Sequence, residues 1–187
     1  MRDTIERHGR TYRVTIEHDE HMGAPWEEHD GHGVVSEWTR RDKAPGEVVI
    51  ASDRGSHRFY DVAETLRIAK RDGWGLSDAD LAAFEARAGR KATRKMVIAE
   101  AVRRDCDRMR QWCADVWGWC GVIVELLDED GDGTGETASL WGIESDAGAY
   151  LDEVAADLVD EMESPRLAAD LAALEASRPD LYEGAAS

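Results

Sequence analysis

An α+β fold is the class this sequence predicts, with an antiparallel sheet of about four to six strands covered by helices, one of them long and central. Three observations carry that reading. Apolar and polar residues alternate near both ends of the chain, helical spacing fills the middle, and 187 residues with a hydrophobic share of 42% and seven Trp suffice for one packed core. A single domain over residues 1–180 with a flexible tail at 181–187 is the expected organisation.

Residues 10–19 place Tyr12, Val14, Ile16 and His18 on one face and Arg13, Thr15, Glu17 and Asp19 on the other, the period of a half-buried first strand. The stretch 20–33, with Pro25 and three glycines among charged residues, reads as a long loop. Val34–Thr39 and Glu47–Ser52 are short strands around Ala44-Pro45-Gly46. A turn at Asp53-Arg54-Gly55-Ser56 then leads to an extended piece at Arg58–Tyr60.

Val62, Leu66 and Ala69 share the face of a helix over 61–72 that stops at Gly73. Ser77 with Asp80 forms the capping pattern of a second helix, through Leu81, Phe84 and Ala88 to Gly89. From Lys91 to about Trp117 there is no Gly or Pro, and Met96, Val97, Val102, Met109, Trp112, Cys113 and Val116 recur at helical spacing; this is read as the longest helix. Val122–Leu127 and Ala138–Ile143 then flank an acidic glycine-rich turn as a β-hairpin. Two terminal helices are expected. The first lays Tyr150, Leu151, Val154, Leu158, Val159 and Met162 on one side, and the second begins after Ser164-Pro165.

The opening thirty residues hold no apolar segment behind a basic start, and no apolar run approaches the ~20 residues that span a bilayer. The expected setting is the cytoplasm. Cys106, Cys113 and Cys120 are odd in number and lack C-x-x-C pairing, so they read as reduced core residues.

Five of the six histidines lie between His8 and His32. His18, His21, His29 and His32, among Glu17, Asp19, Glu20, Glu27, Glu28 and Asp30, form a candidate set of ligands for a divalent metal, because such ions take imidazole and carboxylate together. Three-residue spacing converges side chains only on a helix, whereas this segment reads as strand end and loop. The turn Asp128-Glu129-Asp130-Gly131-Asp132-Gly133 matches the first half of a calcium loop, but Gly135 and Ser139 stand where the second half needs an apolar residue and a glutamate. Ser56 and His57 are only sequence neighbours. No nucleophile elbow and no phosphate-cradling glycine motif is present.

Charge is segregated. Lys and Arg number 9 against 12 Asp and Glu in residues 1–60, 12 against 10 in 61–120, and 2 against 18 in 121–187, within a net charge of −17. A field of that sign repels nucleic acid and anionic membrane and attracts basic partners. Residues 90–110 carry eight bases against three acids, and 146–163 carry seven acids and no base. In a helix the latter present a carboxylate about every 4 Å, near the ~3.4 Å charge spacing along one DNA strand. Asp152, Glu153, Asp157, Asp160, Glu161 and Glu163 are the candidate interaction surface. Whether the basic segment neutralises the acidic one within the chain is open at this point.

The stretches GAPWEEHDGHGVVSEW (23–38), SDRGSHRFYDVAETLRIAKRDGWG (52–75) and ASLWGIESDAGAYLDEVAADL (138–158) resemble a group of uncharacterised small accessory proteins of tailed phages and prophages. The resemblance spans most of the chain and brings no established site to carry over. It implies a non-structural protein acting in an infected bacterial cytoplasm, where nucleases, polymerases and defence complexes are basic targets. Two readings follow. One is a non-enzymatic acidic protein, without cofactor, that binds a basic nucleic-acid-handling or defence protein and not nucleic acid itself, with nucleic-acid mimicry as its sharpest form. The other is a metal-binding module or metal-dependent enzyme built on the histidines near residues 18–32.

Overall fold

The computed structural model describes residues 4–177; the expected tail at 181–187 lies outside them. The fold is α+β, with two antiparallel sheets of four and three strands in place of a single sheet. The chain divides into two compact units: a split unit from the described parts of 1–20 and 118–187, and an inserted unit, 21–117. By sequence, the split unit's segments hold six Lys or Arg against 23 Asp or Glu, while residues 21–117 hold 17 against 17. The whole net charge of −17 therefore falls on the split unit.

The split unit has strand order β1-β2-β6-β7. β1 (Thr4–Arg7) was not expected; it pairs with β2 (Arg10–His18) across a two-residue turn in which His8 and Gly9 both take positive φ, the geometry that matches strand twist. β2 pairs with β6 (Trp119–Leu127), setting Val14 opposite Val124 and Ile16 opposite Val122. β6 continues into β7 (Gly133–Glu144), longer than the hairpin arm expected. In the connecting turn, Asp128 Oδ1 accepts the backbone N–H groups of Asp130 and Asp132 at 3.0 and 2.9 Å, so this carboxylate is consumed by the reversal itself.

α5 (Ala149–Ser177) covers one sheet face. Leu151, Val154, Ala155, Leu158 and Val159 recur at helical spacing and pack on Tyr12, Val14, Cys120, Val122, Val124 and Ile143. The expected pair of terminal helices is one helix of 29 residues running through Pro165. Ser164 and Pro165 are exposed, so the proline's missing hydrogen bond falls on the solvent side, where it is least costly.

In the inserted unit the sheet order is β3-β5-β4, with β3 (Val34–Thr39), β4 (Glu47–Asp53) and β5 (Ser56–Asp61). A one-turn helix, α1 (Pro25–Glu28), interrupts the expected loop. α2 (Val62–Asp72) is capped by Asp61 accepting from the Glu64 N–H, and ends at left-handed Gly73. α3 (Asp78–Ala88) is capped by Ser77. α4 (Arg94–Cys113) is capped by Thr93 and closes before left-handed Asp115, short of Trp117, so it is not the longest helix. Ile50, Phe59, Tyr60, Ala69, Ile98, Val102, Cys106 and Met109 fill the core. Cys106 and Cys120 are buried and Cys113 partly so, all free, and burial pushes each thiol above its ordinary pKa. Among the described residues no helix is long and apolar enough to cross a membrane.

Candidate interaction surface

Packing α5 through Leu151, Val154, Leu158 and Val159 turns its other side outward. Glu153, Asp157, Asp160 and Glu161 fall at i, i+4, i+7 and i+8 and are exposed, as is Asp152 at the edge of the stripe. Asp160 meets Arg7 Nε at 2.9 Å, both groups being well solvated. Asp152, Glu153, Asp157 and Glu161 have no basic side chain in ion-pair reach among the described residues. Nothing on the helix relieves their repulsion: the only base on α5 is Arg166, which reaches Glu136 on β7.

Glu163 leaves the candidate surface. It is 1% exposed, on the inward side of α5, where its carboxylate accepts hydrogen bonds from Tyr12 Oη and from Arg10 Nη1 at 2.8 Å, with Arg166 Nη1 3.8 Å away. Burial pushes its pKa up, but the Tyr12 hydrogen bond and the two guanidiniums outweigh that and hold it below the ordinary carboxylate value. The same burial, joined by the bond to Glu163, raises the Tyr12 phenol to about 12. Glu163 thus clamps α5 to β2. Arg10 also lies 3.7 Å from Asp170, so bases of the first hairpin reach the carboxylates at 160, 163 and 170, while Glu153, Asp157 and Glu161 of the stripe keep their charge.

Three of the basic residues of α4, Arg103, Arg104 and Arg110, find acids inside their own unit. Arg103 and Arg104 converge with Arg87 on Glu100, which is 6% exposed, while Arg104 also holds Asp80 and Arg110 holds Asp107. The Arg103 hydrogen bond, followed by those of Arg87 and Arg104, overcomes burial and lowers Glu100 to about 2.

The four histidines of the metal reading are divided between the two units. His18 ends β2 in the split unit with its ring near Gly118, whereas His21, His29 and His32 belong to the inserted unit. No group of three or more His, Cys, Asp or Glu side chains is placed to hold an ion among the described residues. His32 has a different partner. Its Nδ1 lies 2.7 Å from Asp105 Oδ1, and the other oxygen of Asp105 accepts the Gly33 N–H at 2.8 Å and Tyr60 Oη at 2.6 Å. Burial, then Asp105, drives the Tyr60 phenol far above its ordinary pKa.

Asp105 borders a cavity of about 410 Å³ lined also by Gly31, Trp74, Ser77, Asp80 and Arg104. Ser77 donates to Asp80 at 2.8 Å and Ser56 to Glu37 at 3.1 Å, so neither hydroxyl is directed to a histidine. The Asp105 cluster ties the loop before β3 to α4. Asp105 was legible only as an acid inside a basic helix; its partners lie 45 to 73 residues away, and no local pattern announces them.

No family model, no curated protein and no solved structure matches the chain.

Proposed function

We propose that this chain is a non-enzymatic interaction protein whose acidic α5 face engages a basic protein that handles nucleic acid. The observation that carries the reading is the solvent-facing stripe within ~12 Å of helix in which Glu153, Asp157 and Glu161 have no basic partner among the described residues and Asp160 meets only the solvated Arg7, on a unit that bears the entire net charge. A rigid helix held by an apolar face and by the Tyr12–Glu163 clamp presents those charges in fixed register, as a phosphate backbone does. The resemblance to phage and prophage accessory proteins supplies a setting in which polymerases, nucleases and defence complexes are available basic partners. Competition with DNA for such a partner is the mechanism this charge pattern favours.

The test is capture of partners from bacterial lysate on immobilised protein, comparing the native chain with a Glu153→Gln, Asp157→Asn, Asp160→Asn, Glu161→Gln variant. A partner that binds the native chain, is displaced by duplex DNA and is lost with the variant supports the reading. Partners that bind both chains alike contradict it.

A further inference from the structure

The inserted unit carries a second feature, of opposite charge and independent of the acidic face. α2 and α4 pack with a groove of about 590 Å³ between them, lined by Leu66 and Lys70 from α2 and by Arg94, Lys95, Ile98 and Ala99 from α4. Leu66 with Lys70, Arg94 with Ile98, and Lys95 with Ala99 are all i, i+4 pairs, so each helix sets an apolar residue one turn from a cation. Leu66 is 36% exposed although its unit has a packed core.

The three cations have no carboxylate partner among the described residues, and every other base on these two helices has a partner. Arg67 holds Glu64, Arg71 holds Asp72, Arg103 and Arg104 hold Glu100, Arg110 holds Asp107, and Arg108 lies 3.8 Å over the Trp117 ring. Unpaired positive charge on α2 and α4 is therefore confined to the rim of the groove. The first turn of α4 contains no acid, so Arg94 and Lys95 also stand unrelieved against the positive end of a 20-residue helix.

We propose that this groove binds a small anionic amphiphile, an aliphatic or aryl carboxylate whose apolar body lies on Leu66 and Ile98 and whose head group meets Lys70, Arg94 and Lys95. The volume falls in the ~300–1,000 Å³ range of small-ligand sites. Its length argues against a docked helix: the lining spans five residues of α2 and six of α4, ~8 Å, less than the ~10 Å between the first and last of i, i+4, i+7 anchors. Charge complementarity selects the anion, and the apolar floor selects the tail.

Decanoate is a suitable probe, titrated calorimetrically into the full chain beside acetate and decanol. The expected result is saturable one-to-one binding of decanoate, no binding of acetate, and weaker binding of decanol. A Lys70→Gln, Lys95→Gln variant should bind decanoate about tenfold or more weakly. Leu66→Asn, which alters an exposed side chain and leaves the core intact, should weaken it as well. Failure of decanoate to saturate, equal binding of decanol, unchanged binding in both variants, or displacement by an acidic helical peptide but not by other carboxylates would each overturn the proposal.

Discussion

The phenol of Tyr12 donates a hydrogen bond to the carboxylate of Glu163, 151 residues further along the chain, inside the split unit. That contact joins the acidic helix to β2, and Arg10 of the strand and Arg166 of the helix flank the same carboxylate. Replacing Glu163 with Gln should cost about 2–3 kcal/mol, because Arg10 and Arg166 lose their counter-charge beside a buried site while both keep some access to water. Tyr12→Phe removes one neutral donor and should cost about 1 kcal/mol. Urea denaturation of the two variants checks the order; a larger loss for Tyr12→Phe would contradict this account of the clamp.

Acid should weaken the inserted unit through Glu100. Its folded pKa of about 2 lies below the unfolded value of 4.5, so its contribution is present above pH 4.5 and is lost as pH falls toward 2. Allowing for solvent at the half-exposed Arg87 and Arg103, the contribution is about 2 kcal/mol. Glu100→Gln should lower stability at pH 7 by that amount and by much less at pH 2. Equal losses at both values would assign the effect to packing instead.

Two glycines should respond differently to alanine. A Cβ at Gly33 would sit 2.2 Å from Tyr60 Oη, on a ring that is fully buried and held by Asp105. Gly33→Ala therefore has to break the Asp105 cluster and should cost about 3 kcal/mol. A Cβ at Gly121 would collide with the Trp141 ring, but Trp141 is 43% exposed and its indole N–H donates to the exposed Ser139 hydroxyl, a bond that water can replace as the ring swings outward. Gly121→Ala should cost about 1 kcal/mol or less and shift tryptophan emission, measurable by thermal melting with fluorescence.

Local signals were enough to read β3, the ends of α2 and α3 and the β6–β7 hairpin, because each rests on alternation, a cap or a turn within a few residues. β1 was missed because four residues are too short for a period to register, and α1 because a single turn is. Pro165 reads as a helix start in sequence, yet the helix passes through it, since the apolar stripe before it is already anchored on the sheet. The division into two sheets depends on β2 reaching β6 across the whole inserted unit, a pairing with no local trace. Glu163 and Asp105 were hidden for the same reason. Each sits in a run of charge, and only the fold shows that its partners, Tyr12 and Tyr60, come from distant strands.

The acidic α5 face is tested most directly by the salt dependence of its affinity for a purified, DNA-displaceable basic partner. Measured from 50 to 200 mM salt, the native chain should lose affinity steeply, while neutralising Glu153, Asp157, Asp160 and Glu161 should lower affinity and flatten the slope, with thermal stability unchanged. Identical slopes and affinities for the two chains would contradict the account.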